Sequence, residues 1–195
     1  MDGQRKLLII KMDALDELHE ADKVAQVVGQ AGAGRVVAHT VVCEQPAEAI
    51  AAAETIMPDW IHLIGRSDKH QLIFSRGEEI TGQCSRISLL KKLREAAVPL
   101  TLVTLNSKLD DSDLGNMGRL YAVIGMEKGY NPVASRLFMP RFYDNICRGQ
   151  TLSDAATIAI ENMQQEVVQH GGMPSLCFNH IINPETFMFL PEIVQ

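Results

Sequence analysis

The sequence has little of several residue types, and each shortage narrows the class of protein. It has 18 Lys and Arg residues against 24 Asp and Glu residues, which gives a formal net charge of -6. This balance argues against a protein that binds nucleic acid through a basic surface. No apolar run approaches the roughly 18 residues that a membrane span requires, so we expect no membrane partner. Acidic residues directly follow the short apolar run at the start, which favours a cytoplasmic protein over one with a signal peptide.

Cysteine is scarce as well, and its spacing excludes two kinds of site. The chain has four cysteines: Cys43, Cys84, Cys147 and Cys177. They are far apart and no pair has CxxC spacing, so we predict neither a zinc site nor a disulfide framework. His62 and His70 are close enough to suggest a metal pair, but no cysteine or third histidine stands at ligand spacing. We therefore predict no metal and no cofactor.

The remaining composition and the apolar pattern predict one α/β domain over residues 1–195. The chain is 46% apolar and 22% charged, which is typical of a globular protein with a sizeable core. Short apolar runs predict strands at Lys6–Lys11, Arg35–Val42, Trp60–Ile64, Leu100–Leu105 and Leu120–Met126. Helical periodicity predicts helices at Leu15–Gly29, Pro46–Met57, from Ser85 or Ser88 to about Ala97, and over residues 132–148 and 152–169. This alternation indicates a three-layer sandwich, with a mostly parallel sheet of about six strands and helices on both faces.

Three other segments complete the predicted topology. Gln71–Phe74 is predicted to be a short strand of a hairpin with Gly77 at its turn. Pro140 is expected to kink or split the helix over residues 132–148, because proline lacks the backbone N–H that the helix needs. The tail is predicted to form an edge strand and a wrapping segment. Its apolar part, Phe187–Val194, either packs on the protein's own sheet or offers a surface to a partner.

A polar group of residues follows the third predicted strand, Trp60–Ile64. The residues after the strand are Gly65, Arg66, Ser67 and Asp68. In open α/β sheets, ligands and chemistry gather just past the carboxyl ends of such strands. This tip is therefore the first candidate for a functional site.

Three segments of the sequence stand out by their order and spacing: Ile61–Ser67 (IHLIGRS), Leu105–Lys108 (LNSK) and Val123–Met126 (VIGM). The helix that follows carries Phe138, Phe142 and Tyr143, with Gly149 downstream. Together these residues resemble the CHAT family of caspase-like (clan CD) cysteine peptidase domains. The first two segments are similar to the family's His-Phe-x-Gly-His-Gly and Leu-Asn-Ala-Cys motifs, and VIGM matches a third family segment intact. The resemblance covers about residues 55–165 and implies a caspase-like fold.

The resemblance also implies that both catalytic positions have changed. The family's catalytic histidine position holds Arg66, and its catalytic cysteine position holds Lys108. Arginine stays protonated above pH 12 and cannot accept a proton, and lysine has no sulfur for a thioester. Pro132 stands where the family often has an aspartate that binds a basic substrate residue. The resemblance therefore implies a catalytically inactive pseudopeptidase that binds or regulates a protein partner.

The partner and the cleft follow from the same resemblance. The partner is expected to be an active homologue or an effector, and homodimer formation is a further interpretation. The cleft residues expected to contact a partner or ligand are Gly65, Arg66, Ser67, Asp68, Asn106, Ser107, Lys108 and Pro132.

A hydrolase with a relocated nucleophile is the first alternative. Ser107 lies next to the lost cysteine position, and Cys84 is a second candidate nucleophile. Either would need a histidine as its base, which leaves His70 or His62.

The two cations at the changed positions allow several further interpretations. Arg66 and Lys108 are either drifted surface charges or partners in salt bridges. The candidate acidic partners are Asp68, Asp110, Asp111 and Asp113. The second alternative function is an anion-binding module, in which the two cations bind a phosphate or an acidic segment of a partner.

Overall fold

The structure is a computed structural model that describes residues 4–13, 19–68, 70–109, 118–126, 132–166, 173–179 and 181–190. Its strands are β1 (Arg5–Lys11), β2 (Val36–Val42), β3 (Trp60–Ile64), β4 (Ser67–Asp68), β5 (Gln71–Arg76), β6 (Glu79–Ser85), β7 (Leu102–Lys108), β8 (Ala122–Met126) and β9 (Pro174–Phe178). Its helices are α1 (Glu20–Ala31), α2 (Pro46–Ile56), α3 (Arg86–Ala96), α4 (Pro132–Cys147) and α5 (Leu152–Glu166).

Six strands form the central sheet, in the order β2-β1-β3-β7-β8-β9. The first five are parallel to one another, and β9 pairs antiparallel to β8 at the edge. Each of the five strands predicted from apolar runs is present, and the short edge strand near residue 173 is confirmed as β9. The fourth predicted strand begins and ends later than expected, since β7 runs from Leu102 to Lys108 rather than from Leu100 to Leu105.

Helices cover both faces of the sheet, so the predicted three-layer α/β sandwich is confirmed. Alternate residues of each strand point to opposite faces, as the pleat requires. On β3, Trp60 and Ile64 pack against α1, α4 and α5, whereas Ile61 and Leu63 pack against α2 and α3. His62 lies on the same side as Trp60 and is fully buried. The core is thus divided by the sheet into two apolar halves.

A small antiparallel sheet, β4-β5-β6, covers the carboxyl end of β1. The predicted hairpin is confirmed, and Gly77 turns with a φ of 65°, a value that favours glycine. The Ser75 amide donates to the Met12 carbonyl at 2.8 Å. Asp13, which follows Met12, forms a parallel bridge with Ser75. The hairpin is therefore attached to the residues that follow β1.

Helix α4 runs without interruption through Pro140 from Pro132 to Cys147, so of the two expected outcomes, a kink or a split, the split is wrong. Pro140 has no N–H for the carbonyl of Arg136, so one helical hydrogen bond is lost. The helix continues because both sides of the proline are held by buried residues that pack on the sheet. These are Phe138, Met139, Phe142 and Tyr143.

The helix ends and the tail add smaller differences. Helix α1 continues to Ala31 rather than Gly29, and its expected first residues, 15–18, lie outside the described residues. Ser85 occupies the N-cap position of α3, but its side chain makes no capping hydrogen bond. Phe189 and Leu190 of the tail are buried, and Phe189 packs edge-on against Trp60 with ring centroids 5.5 Å apart. Both residues pack on the protein's own core, whereas residues 191–194 of the predicted apolar part lie outside the described residues.

Candidate functional site

Arg66 and Lys108, the two positions that the resemblance singles out, lie at the same edge of the sheet. Arg66 follows β3 by two residues, and Lys108 is the last residue of β7. The two strands are parallel neighbours, with Leu63 opposite Leu105. Arg66 and Lys108 therefore lie near the ends of neighbouring parallel strands. The side chain of Lys108 and residues 110–117 lie outside the described part of the chain.

Arg66 is held by neighbours that the sequence did not suggest. Its Nη2 donates to the Gly77 carbonyl at 3.0 Å and lies 3.5 Å from Asp13 Oδ2. Asp68, one of the expected partners, is exposed. The Arg66 and Asp13 side chains are 42% and 15% exposed, so solvent weakens this ion pair to about 1 kcal/mol or less. The pair joins the end of β1, the end of β3 and the hairpin turn.

Glycines at two positions allow neighbouring strands to approach each other closely near the ends of β3 and β7. A Cβ atom on Gly65 would lie 2.8 Å from Met12 Cβ. Gly65 therefore lets the end of β3 pass directly beside the end of β1, which brings Arg66 towards Asp13. Gly125, in the VIGM segment of β8, has the same role beside β7. A Cβ there would lie 2.6 Å from the carbonyl oxygen of Ser107.

The usual ligand crevice of such a sheet is occupied by the hairpin. Strand order reverses between β1 and β3, because β1 lies between β2 and β3. In open α/β sheets, ligands bind at this switch point, outside the carboxyl ends of the strands. Here the hairpin contacts Met12, Asp13 and Arg66 at that place. Its backbone thus lies where a ligand would otherwise contact the ends of β1 and β3.

The tip of β7 is buried against a second arginine. Ser107 is 1% exposed, and its Oγ accepts a hydrogen bond from Arg86 Nη1 at 3.1 Å. Arg86 is itself 1% exposed, and its backbone amide donates to the His70 carbonyl at 2.9 Å. A guanidinium cannot take a proton from the serine hydroxyl. Asn106, the preceding residue, is also buried.

Cys84, the other candidate nucleophile, is an unreactive thiol in this environment. It lies in β6 opposite Leu72 and is partly buried beside the α2 and α3 half of the core. Burial raises its pKa to about 11. At neutral pH the thiol is therefore protonated, and a thiol is a far weaker nucleophile than a thiolate. Burial likewise raises the pKa of Cys43 to about 11 and that of Cys147 to about 12.

His62 belongs to a buried polar network that sequence reasoning missed. Its Nδ1 lies 2.7 Å from Thr104 Oγ1, and its Nε2 lies 3.0 Å from Glu20 Oε1. Ser135 Oγ donates to the same Glu20 oxygen at 2.7 Å. The Tyr143 hydroxyl lies 2.8 Å from Thr104 Oγ1. With its proton on Nε2, His62 donates to Glu20 and accepts from Thr104.

The order hydroxyl, imidazole and carboxyl in this network has the connectivity of a hydrolytic triad, but its burial excludes that chemistry. Thr104 and His62 are 0% exposed, and Glu20 is 2% exposed. No substrate carbonyl can reach the Thr104 oxygen without opening the core. Burial also raises the pKa of Tyr143. The network is structural: it joins α1, β3, β7 and α4 through hydrogen bonds.

Part of this network had a signal in the sequence. His62 and Thr104 each interrupt an apolar strand at a central position, WIHLI and LTLVTL. They lie opposite each other on neighbouring strands. Glu20 and Arg86 had no such signal, because each stands among polar residues at the start of a helix.

The other predicted cleft residues are spread over several elements. Ser67 and Asp68 form β4, and Ser67 pairs with Leu72 of β5. Pro132 is the first residue of α4, where its fixed φ suits a helix start. His70 is exposed next to β5. Among the described residues, no three His, Cys, Asp or Glu side chains come together as a metal site.

These features define a three-layer α/β protein in which the arginine that follows the third strand of the sheet contacts Asp13 and the hairpin turn. Within the part of the chain that the structure describes, no helix combines the length and apolar character that crossing a membrane requires.

Comparison with known proteins shows a likeness in structure alone. No protein-family model matches the chain, and no curated protein does either.

One similar solved structure is a Burkholderia pseudomallei protein that is provisionally described as pilus assembly-related. The two chains share 18% sequence identity. The match covers 80% of this chain and 92% of the other, with a TM-score of 0.43. Identity and TM-score are both too low to carry a function from one protein to the other.

Proposed function

We propose that this protein is a non-catalytic caspase-like domain of the CHAT type, a pseudopeptidase that acts by binding or regulating another protein. The proposal rests on the resemblance of the three sequence segments. Their placement at the ends of β3, β7 and β8 within a six-stranded sandwich is compatible with it. The partner is proposed to be an active homologue or an effector protein.

The observation that carries the proposal is the environment of Arg66. A cysteine peptidase needs an imidazole there that accepts and returns a proton near neutral pH. Arg66 is permanently charged, and Asp13 and the Gly77 carbonyl satisfy its Nη2. Its contacts are those of a side chain that ties the hairpin to the sheet. This arrangement supports a structural role at the former site of chemistry.

The surroundings of the other candidate groups also favour a non-catalytic protein. Ser107 is buried beside the Arg86 guanidinium, and the Cys84 thiol is protonated at neutral pH. Both ring nitrogens of His62 have partners in the buried network. None of these contacts pairs a candidate nucleophile with a base.

Covalent probes test the proposal directly. The full chain is incubated with a fluorophosphonate probe and with a peptide-ketone probe, and labelling is measured by mass spectrometry. We expect no labelling with either probe, as in the variants Ser107→Ala and Cys84→Ala. Stoichiometric labelling of the native chain that disappears in one of these variants would instead establish a relocated nucleophile and overturn the proposal.

A further inference from the structure

A second candidate site lies away from the strand ends, in a groove between α1 and α4. The groove has a volume of about 440 Å³ and is open to solvent. Its lining is strongly cationic: Lys23 comes from α1, Arg136 and Arg141 come from α4, and Arg148 directly follows the last residue of α4. Asp144 is the acidic residue among the lining side chains. This concentration of positive charge contrasts with the net charge of -6 of the whole chain.

Most of the positive charge in the groove is not neutralised internally. Arg148 Nε pairs with Asp144 Oδ2 at 3.0 Å, one helical turn away. Lys23, Arg136 and Arg141 form no side-chain ion pair with any residue that the structure describes. Three uncompensated cations therefore face one concave surface, which favours an anionic ligand.

The Arg136 guanidinium is partly buried in the wall of the groove. Its Nε is enclosed by protein and has no hydrogen-bond acceptor among the described residues, so a ligand in the groove would be bound by the terminal Nη groups. Guanidinium groups pair with carboxylates in a favourable planar geometry.

The shape and the other lining residues favour a peptide over a small anion. Arg136 on α4 and Arg148 just after its end are twelve residues apart, which corresponds to about 18 Å at the helical rise per residue. An extended peptide covers that distance with about five or six residues, at roughly 3.3 Å per residue. Val27 and Leu137 add apolar contacts, and Gln26 adds an amide that can bind a peptide backbone. A single phosphate would use only a fraction of these groups.

We propose that the groove between α1 and α4 binds an extended acidic segment of the protein partner. This inference rests on the proposed function, for which it names the docking surface and the chemistry of the bound segment. A long nucleic acid fits less well, since its phosphates would extend beyond the groove along a chain whose net charge is negative.

The test measures binding of fluorescein-labelled octaglutamate to the full chain by fluorescence anisotropy. The groove variant is Lys23→Glu with Arg141→Glu, since both residues are exposed and lie on opposite walls. The matched control is Lys91→Glu with Lys92→Glu. These two lysines are exposed on α3, on the other face of the sheet, and their replacement changes the net charge equally. We expect affinity to fall more than tenfold in the groove variant and less than twofold in the control.

Three kinds of outcome would overturn the inference. The first is the absence of binding specific to the groove, seen either as an equal loss of affinity in both variants or as no binding by the native chain. The second is displacement of the peptide by inorganic phosphate at the same concentration of anionic groups, which would indicate a single-anion site. The third is tighter binding of an eight-nucleotide oligothymidylate than of octaglutamate. Covalent labelling of Ser107 or Cys84 would refute the non-catalytic proposal, whereas failed peptide binding would refute the groove alone.

Discussion

At the scale of single residues, the buried hydroxyl groups show how this core accommodates polar atoms. Thr104 is fully buried, but its Oγ1 has both His62 and Tyr143 as hydrogen-bond partners. Ser75 is fully buried too, and its Oγ has no partner among the described residues. A satisfied buried hydroxyl stabilises a fold modestly, whereas an unsatisfied one costs its full desolvation. Removal of the hydroxyl group is therefore expected to lower the free energy of unfolding at Thr104 and to raise it at Ser75.

Replacement of Thr104 by valine is expected to destabilise the protein. Valine has nearly the same shape, so the change removes the hydroxyl and leaves His62 Nδ1 and the Tyr143 hydroxyl without their shared partner. Each unsatisfied buried group costs about 1–3 kcal/mol, so we expect the free energy of unfolding to fall by about 2 kcal/mol or more. Urea denaturation monitored by circular dichroism gives this quantity.

The matched control for this change is Thr40→Val. Thr40 lies in β2 and is exposed, so its replacement is expected to change the free energy of unfolding by less than about 0.5 kcal/mol. If Thr104→Val proved as mild as Thr40→Val, the buried network would not contribute to stability.

At the scale of elements, the unsatisfied hydroxyl of Ser75 lies in the hairpin that is attached to the end of β1. Replacement of Ser75 by alanine removes a buried hydroxyl that has no partner, and it keeps the backbone amide that donates to Met12. We expect the free energy of unfolding to rise by about 1 kcal/mol, since a desolvation cost disappears. The same urea denaturation measures the effect, and a clear loss of stability in Ser75→Ala would contradict this account.

The strands could be predicted from the sequence because the apolar runs that indicate them are local. Apolar runs of the β1 and β3 type are typical of strands buried on both faces, and each lies within one residue of its predicted bounds. Whether Pro140 would split α4 or leave it continuous could not be predicted, because this depends on packing by residues such as Phe142 on a distant sheet. Local propensity predicts a break there, and tertiary contacts prevent it.

The candidate site was predictable in position but not in its contacts. The place of Arg66 follows from topology, since the carboxyl ends of parallel strands lie at one edge. Its partner Asp13 is 53 residues away in sequence and is brought close by the pairing of β1 with β3. The contact of Arg86 with Ser107 likewise depends on how α3 begins after β6. Such side-chain pairs follow from the assembled fold and have no signal in either segment alone.

At the scale of the whole molecule, three cysteine thiols, located in both halves of the core, make the stability of the protein depend on pH. Cys43 belongs to the half that contains α2 and α3, and Cys84 packs partly against it, whereas Cys147 ends α4 in the other half. Burial is the main cause that raises all three pKa values, to about 11 for Cys43 and Cys84 and about 12 for Cys147. An unfolded thiol ionises near pH 9, so the unfolded chain loses these protons first.

This difference predicts a loss of stability at alkaline pH. Below about pH 9 the thiols are protonated in both states, and their contribution to stability is fully present. Between pH 9 and about pH 11 the unfolded chain releases protons that the folded chain retains, so the free energy of unfolding falls. Urea denaturation at pH 7.5, 9, 10 and 11, with a reductant present, measures the slope.

The triple variant Cys43→Ala, Cys84→Ala and Cys147→Ala separates the thiols from other alkaline groups. The Tyr143 phenol, whose pKa is also raised by burial, acts in the same direction and is present in both proteins. The variant is expected to be less stable at neutral pH because alanine leaves small cavities, so the comparison uses the pH slope rather than the absolute value. We expect a flatter slope in the variant between pH 9 and 11. Equal slopes would mean that the folded protein does not protect these thiols from ionisation.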